Sequence, residues 1–296
     1  MRKSPRNVVA SIRARLLNLA RERNQPFDLL LTRYVLERFL HRLSQSKHRD
    51  RFVLKGAILM TTWLDDPHRP TRDLDLLGFG DPDPEAMVAV FRELCAIKED
   101  DAVTFDAEGM TVDRIRDEQE YGGLRLRTMA SVGGARVRVV VDIGFGDAVV
   151  PGVEDIELPV LLDQPAPRLR AYPRETVIAE KFQAMVMLGR ANSRMKDFFD
   201  IWVLKRSFEF RGDALVRAIA ATFARRKTEI PDGRPDGLSD AFAKDPLKQR
   251  QWDAFLQDVT LKPSGSLADV LDELAEFLMP AAARARAISE KTGKQA

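Results

Sequence analysis

Thr71-Arg72-Asp73-Leu74-Asp75, followed by Leu76 and Leu77, is the stretch of this chain that decides its interpretation. Asp73 and Asp75 stand two positions apart in a hydrophobic run, and in a strand such residues point to the same face. Two carboxylates on one face repel, so burying them is unfavourable unless a cation lies between them. Magnesium is the natural candidate, since it prefers carboxylate and phosphate oxygens. The alternative, and the commoner fate of an Asp-x-Asp pattern, is a solvated strand face.

A third acidic residue strengthens the metal hypothesis. Residues 135–146 predict a strand, because valines at 137, 139 and 141 alternate with arginines at 136 and 138. Asp142 shares the parity of Arg138, so we expect both on the same face. Beside the strand of Asp73 and Asp75, it would complete three carboxylates around one or two metal ions. A turn residue that ends the strand is the alternative for Asp142.

Four ordered motifs between residues 50 and 206 carry a family resemblance. They are Leu54-Lys55-Gly56-Ala57, then Arg69-Pro70-Thr71-Arg72-Asp73-Leu74-Asp75, then Val141-Asp142-Ile143, and finally Tyr172-Pro173 with Ala179-Glu180-Lys181 and Ser193-Arg194-Met195-Lys196-Asp197-Phe198-Phe199-Asp200. The first three resemble the core of the nucleotidyltransferase superfamily. The last group is similar to the AbiEii/AbiGii toxin family, which includes the MenT-type toxins.

This resemblance implies a toxin of a toxin–antitoxin or abortive-infection system. Some members of the family transfer a nucleotide from an NTP to the 3′ end of tRNA and so block translation. The expected activity is therefore metal-dependent nucleotidyl transfer to RNA, with Mg²⁺ or Mn²⁺ as cofactor. The expected partners are the NTP, an RNA acceptor such as tRNA, and a cognate antitoxin protein.

The resemblance also implies residue roles. Asp73, Asp75 and Asp142 would be metal ligands, and Asp142 is also a candidate general base. The catalytic set would comprise these three together with Lys181 and Asp197. The residues expected to contact the nucleotide are Lys55, Gly56, Ala57, Thr71, Lys181 and Asp200.

Gly56 would begin a helix whose N-terminal amides face the triphosphate. The family usually has Gly or Ser at the next position, where this chain has Ala57. Ala57 brings no hydroxyl group to the phosphate, and Thr71 would instead supply a hydroxyl beside the metal site.

The residues around Lys181 leave two interpretations open. Residues 175–188 predict a helix, in which Lys181 borders an apolar stripe. Asp197 and Asp200 share a face of the next helix. Lys181 would then be either a phosphate-binding lysine held by an aspartate, or half of an ion pair that fixes the packing of two helices.

Charge is unevenly distributed along the chain. Residues 1–51 contain thirteen Lys or Arg against four Asp or Glu, whereas the whole chain has a formal net charge of only +2. The first arginines and lysines interleave with apolar residues at helical spacing; they are Arg2, Lys3, Arg6, Arg13, Arg15, Arg21 and Arg23. Such a face suits a phosphate backbone. A targeting peptide, a membrane-surface helix and a merely solvated face are the alternatives.

The fold class predicted from these patterns is α+β, with a nucleotidyltransferase-like core built on a mixed β-sheet. Residues 1–48 predict two basic helices, residues 49–168 the core, and residues 169–296 a helical C-terminal domain. Within the core, strands are predicted near residues 111–116, 123–129 and 137–143, and Gly133-Gly134 predicts a hairpin between the last two. The single cysteine, Cys95, excludes an internal disulfide framework and is expected to be a buried, inert thiol. Pro280 is expected to kink or end the last helix. No apolar run reaches the length of a membrane span. These features predict a cytoplasmic protein.

Two rival functions remain at this point. One is nucleotidylation of a protein or a small molecule. The other is a catalytically silent binding module, in which Ala57 marks the loss of a phosphate loop. Retention of the three carboxylates and Lys181 argues against the second.

Overall fold

A computed structural model describes residues 5–66, 68–115, 122–210 and 212–293. These residues form two compact units. The first unit contains the described residues through 146 together with residues 154–171, and the second contains residues 147–153 and the described residues from 172 onward. Among all of them, no helix combines the length and the apolar character needed to cross a bilayer.

The first unit contains one β-sheet with helices. Its helices are α1 (Pro5–Glu22), α2 (Phe27–Gln45), α3 (Met60–Trp63) and α4 (Pro84–Ala96). Its strands are β1 (Phe52–Lys55), β2 (Leu74–Gly78), β3 (Val103–Phe105), β4 (Thr111–Ile115), β5 (Gly123–Val132), β6 (Ala135–Phe145), β7 (Glu154–Glu157) and β8 (Arg168–Ala171). The predicted mixed α+β core is confirmed.

The sheet runs in the order β3-β5-β6-β2-β1-β8-β7, and β4 pairs with another part of β5. The β2–β6 and β1–β8 pairs are parallel, and the remaining pairs are antiparallel. The long strand β6 therefore lies between β5 and β2, the short strand that carries Asp75. This arrangement puts the acidic motifs in the middle of the sheet.

A tight turn fixes the register of the β5–β6 hairpin. Gly133 and Gly134 both have positive φ angles, +57° and +84°, which glycine adopts readily and which two-residue hairpin turns require. Val132 pairs with Ala135, and the ladder continues without a bulge to Leu124 and Ile143. The predicted hairpin is confirmed. Its two-residue period buries the odd positions from 137 to 143 of β6, and leaves the even ones more open.

Aromatic side chains connect the helices to the sheet. Phe39 of α2 stacks on Phe91 of α4 with ring centroids 5.8 Å apart, and Phe105 of β3 meets Phe39 edge-on. Phe52 of β1 also contacts the Phe91 ring. Cys95 of α4 is buried, and burial raises the pKa of its thiol to about 12. This agrees with the expectation of an inert core cysteine.

The first unit contains a buried ion pair between Arg42 and Asp101. Arg42 of α2 makes two hydrogen bonds to the Asp101 carboxylate, of 2.6 and 3.1 Å, and its side chain and that of Asp101 are 1% and 2% exposed. The guanidinium also donates to the carbonyls of Ile97 and Val103. Such a pair holds α2 to the segment that leads into β3.

The second unit is helical, as predicted. Its helices are α5 (Arg174–Leu188), α6 (Met195–Ser207), α7 (Ala214–Arg225), α8 (Asp240–Ala243), α9 (Pro246–Phe255) and α10 (Leu267–Gly293). Pro280 lies inside α10, which continues for several turns beyond it. Pro280 therefore does not end the helix, which was one of the two outcomes expected from the sequence.

Three differences from the sequence-based expectations matter for the site. The helix expected from Ala57 is one 3₁₀ turn (Ala57–Leu59) followed by the single turn of α3. Strands β3, β7 and β8 were not predicted. Arg116, expected at the end of β4, lies outside the described residues.

The Arg42–Asp101 pair generates a stability prediction. We expect Asp101→Ala to lower the free energy of unfolding by about 3–5 kcal/mol, because it strands a buried guanidinium. The control is Arg168→Ala, which removes an ion pair to Glu157 whose side chains are 75% and 56% exposed. That variant should lose at most about 1 kcal/mol. Urea unfolding measures both, and similar losses would refute the distinction.

Candidate active site

A row of five charged residues crosses the sheet. Lys55 of β1 lies opposite Asp75 of β2, Asp75 opposite Asp142 of β6, and Asp142 opposite Arg125 of β5. Arg125 in turn lies opposite Asp113 of β4. Residues that pair directly across neighbouring strands share a face of the sheet. This row therefore carries charges in the order positive, negative, negative, positive and negative on one face, opposite the face that buries the valines of β6.

Arg125 and Asp142 form a two-pronged contact within this row. The Nε of Arg125 donates to Oδ1 of Asp142 at 2.7 Å, and its Nη2 donates to Oδ2 at 2.6 Å. The pKa of the guanidinium lies above its usual range because of these hydrogen bonds, and the negative charges of Asp73 and Asp75 add to the shift. The charge of Arg125 therefore interacts with all three predicted metal-ligating carboxylates, those of Asp73, Asp75 and Asp142.

Asp73 lies one residue before β2 and is exposed, while Asp75 within the strand is half-buried. The expectation that both carboxylates sit in an apolar setting is therefore wrong for Asp73. The hydroxyl of Thr71 donates to the backbone carbonyl of Asp73 at 3.3 Å, which holds the turn into β2. Water can reach Asp73, so its charge needs no buried partner.

Gly56 is placed tightly against the acidic motif. Its φ of +78° and ψ of −164° fall in a region that is essentially restricted to glycine. A Cβ added at Gly56 would overlap the carboxylate of Asp75. The backbone here approaches the carboxylate closely because residue 56 has no side chain.

The short helical segment after Gly56 changes the role expected of Ala57. A macrodipole builds up along a helix, and two turns give a small one. The predicted attraction of a triphosphate to this helix end is therefore weaker than the sequence suggested. Lys55 directly precedes Gly56 and is therefore the basic residue nearest in sequence to this helix end. It faces Asp75 across the β1–β2 pair.

The carboxylates fit a hard divalent cation only in part. Within residues 5–66, 68–115, 122–210 and 212–293, no group of three Asp, Glu, His or Cys side chains has the geometry of a metal centre. Asp73 and Asp75 supply oxygen donors of the type that magnesium prefers. Asp142, the third predicted ligand, has both oxygens bonded to Arg125. Its role as a metal ligand stays a prediction.

A second cluster lies in the helical unit. The Nζ of Lys181 is 2.6 Å from Oδ1 of Asp197 and 2.8 Å from Oδ2 of Asp200. Both aspartate side chains are fully buried, and that of Lys181 is 13% exposed. The structure thus brings together α5 and α6 through these three residues, as either interpretation of Lys181 requires.

Arg194, at the start of α6, completes this cluster. Its Nε lies 2.7 Å from Oδ2 of Asp197, and its side chain is half exposed. Two cations therefore balance two buried carboxylates. The charge balance supports the packing role of Lys181, and leaves its phosphate-binding role as a prediction.

Two arginines of the basic N-terminal face contact other parts of the first unit. Arg13 of α1 donates to the carbonyls of Val132 and Gly133 at the tip of the β5–β6 hairpin, and Arg15 pairs with Asp163 at 2.5 Å. Arg21 and Arg23 are exposed. Arg2, Lys3 and the side chain of Arg6 lie outside the described residues. Contact between this face and RNA stays a prediction.

Two residues of these clusters escaped the sequence analysis. Arg125 could have been found from the hairpin, because a turn at Gly133-Gly134 without bulges places residue 125 opposite Asp142. Arg194 carried a weaker signal, namely its spacing of three from Asp197 at a helix start.

Comparison with known proteins identifies the family. The model of the AbiEii family, nucleotidyl transferase toxins of type IV toxin–antitoxin systems, matches residues 38–290. The chain therefore belongs to the AbiEii nucleotidyl transferase toxin family. No curated protein matches the chain.

Two solved structures are similar to the chain. One, described as "putative nucleotidyltransferase from H. pylori", has a TM-score of 0.45 and 18% identity, covering 89% of this chain and 96% of that chain. The other, JHP933 from Helicobacter pylori, has a TM-score of 0.44 and 17% identity, covering 90% and 95%.

The contact between Gly56 and Asp75 generates a prediction about activity. We expect Gly56→Ala to displace the Asp75 carboxylate and to reduce nucleotidyl transfer per folded molecule by at least about tenfold, a modest effect for a misplaced catalytic group. The control is Gly134→Ala, which also has a positive φ but has no atom within 4 Å of the added Cβ. It should lose stability without losing activity. Equal activity in the two variants would refute a role for the close approach at Gly56.

Proposed function

We propose that this member of the AbiEii family is a toxin that transfers a nucleotide from an NTP to RNA in the cytoplasm, at the 3′ end of tRNA. The observation that carries the proposal is the charged row on β1, β2, β6 and β5, with Asp73 beside it. It gathers the carboxylates of two separate sequence motifs on one face of the sheet. A cognate antitoxin is the partner that a toxin of this kind requires.

The proposed reaction is a substitution at the α-phosphorus of the NTP. An acceptor hydroxyl forms a new P–O bond, the bond from the α-phosphorus to the α,β-bridging oxygen breaks, and pyrophosphate leaves while the hydroxyl loses its proton. Such a reaction depends mainly on positioning and on electrostatic stabilisation of the phosphates. Lys55, opposite Asp75, and Arg125, opposite Asp142, are cations that the sheet offers for this purpose.

Asp73 and Asp75 would hold a divalent cation, which would supply charge neutralisation for the triphosphate. Asp73 is exposed and Asp75 half-buried, so both carboxylates can be reached from solvent. Asp142 is less suited to act as general base in this arrangement, because Arg125 donates to each of its oxygens. We therefore assign the base to no residue.

The central test is transfer of label. Purified protein is incubated with each α-labelled NTP, total cellular RNA and Mg²⁺ or Mn²⁺. We expect label in the tRNA fraction, and its loss when EDTA removes the metal. Label in protein or in a small molecule, with none in RNA, would overturn the proposed acceptor. An absence of transfer with every NTP would overturn the proposed activity.

Variants of the acidic motif sharpen this test. We expect Asp73→Ala and Asp75→Ala each to reduce transfer by at least about a hundredfold, since electrostatic groups at the reacting phosphate contribute on that scale. Neither should unfold the protein, because Asp73 is exposed and Asp75 lies beside the like-charged Asp142. Glu157→Ala, at an exposed carboxylate on the edge strand β7 that pairs with Arg168, is the control and should retain activity. Activity in Asp73→Ala equal to that of the control would exclude Asp73 from the site.

Lys181 is proposed as a phosphate-binding residue from the family resemblance. We expect Lys181→Ala to relieve growth arrest in cells and to lower transfer per folded molecule by at least about tenfold. It should also lower stability, because two buried carboxylates lose a shared partner. The control is Lys205→Ala, which removes a lysine of α6 that pairs with Glu273. A lower melting temperature with full activity per folded molecule would mean that Lys181 only supports packing.

A further inference from the structure

We infer that Arg125 is a resident counter-ion of the carboxylate site, and that it competes with the divalent cation for Asp142. In this arrangement the free protein binds metal weakly, and the cation enters together with the triphosphate. The inference rests on the proposed function, because it concerns the same carboxylates and adds a residue and an order of binding to it.

The geometry of the hairpin supports this role. The guanidinium makes a two-pronged contact with Asp142, the strongest form of the Arg–carboxylate pair. Asp142 is 21% exposed and Arg125 is 41% exposed, so the pair lies at the surface of the sheet. Arg125 can therefore swing away into solvent without leaving a charge buried.

The contact between Arg125 and Asp142 also offsets an electrostatic repulsion within the sheet. Asp75 and Asp142 lie directly opposite each other, and like charges in that relation destabilise a sheet. An arginine next to them relieves this repulsion, and arginine cannot lose its charge by deprotonation in a protein. A divalent cation near Asp75 would meet that fixed positive charge. It must either forgo Asp142 or displace Arg125.

A triphosphate changes this balance. Guanidinium groups bind phosphate oxygens in the same two-pronged way as they bind carboxylates. An NTP with its bound metal ion therefore offers Arg125 a new anionic partner at the moment when the metal needs Asp142. The same arginine that weakens metal binding in the free protein would then contact the substrate.

The competing interpretation is an ordinary ion pair that only ties β5 to β6. Arg127, two residues along the same strand, provides the comparison. It pairs with Asp113 of β4, a strand that pairs with β5 and is not adjacent to β6 or β2. Arg125 and Arg127 thus match in residue type, strand and sheet face. They differ in the residue opposite them on β6, which is Asp142 for Arg125 and Val140 for Arg127.

The test measures Mn²⁺ binding to the full-length protein without nucleotide, by the electron paramagnetic resonance signal of the free ion at low ionic strength. We expect Arg125→Gln to bind Mn²⁺ roughly tenfold more tightly than wild type, because one unit of positive charge is removed a few ångströms from the ion. Arg127→Gln should leave the affinity unchanged. No gain in Arg125→Gln beyond that of Arg127→Gln would overturn the inference.

A charge-neutral double variant provides a second, independent decision. Arg125→Gln with Asp142→Asn replaces an ion pair by two amides and keeps the net charge. If Arg125 withholds Asp142 from the metal in the free protein, the double variant should bind Mn²⁺ as wild type does. A tenfold or greater loss would show that Asp142 is already a ligand, and would overturn the inference. This variant also decides the question should Arg125→Gln alone fail to fold, which thermal unfolding in EDTA would reveal.

The outcome is separable from that of the proposed function. Label transfer by wild type, together with unchanged Mn²⁺ affinity in Arg125→Gln, would remove the counter-ion role and leave the activity standing. If wild type transfers no label and Arg125→Gln nevertheless binds Mn²⁺ more tightly, the counter-ion role of Arg125 is supported and the proposed nucleotidyl transfer is refuted.

Discussion

Asp75 and Asp142 are like charges that pair directly across the parallel strands β2 and β6, and the arrangement of the site follows from their repulsion. A sheet does not retain such a pair unless something favourable offsets it. The strands on either side provide the offset, since Lys55 flanks Asp75 and Arg125 flanks Asp142. In the charged row, the positive charges of Lys55 and Arg125 therefore offset the repulsion between Asp75 and Asp142. Function supplies a reason for keeping the unfavourable pair at the centre.

Much of this unit was contained in the sequence. The alternation of valine and arginine predicted β6 and the face of Asp142, and Gly133-Gly134 predicted the turn. Together these features also determine the residue opposite Asp142, because a two-residue hairpin without bulges has a fixed register. Arg125 was missed because the hairpin was used to define strands and was not used to pair their side chains.

Other features could not have been foreseen. Strands β3, β7 and β8 have three or four residues each, too few for a periodic pattern to appear. The length of the helix after Gly56 depends on tertiary packing, since no residue in the sequence marks its end at Trp63. The exposure of Asp73 depends on where β2 begins, and strand ends are the least certain part of any pattern. The double partnership of Lys181 was suggested by the spacing of Asp197 and Asp200, but spacing alone does not distinguish packing from binding.

The separation of Asp75 and Asp142 along the chain has a consequence for how the protein is made. The hairpin of β5 and β6 closes through a turn of two residues, so we expect it to form early, with Arg125 already on Asp142. The parallel pairing of β2 with β6 joins residues that are far apart in sequence, and contacts of that kind form late. The acidic cluster therefore comes into being near the end of folding, as a property of the finished sheet. This protein belongs to a family of toxins. Chains that are only partly synthesised or partly folded contain the residues of the site without its geometry. The assembled cluster is therefore present in the cell only in completely folded molecules.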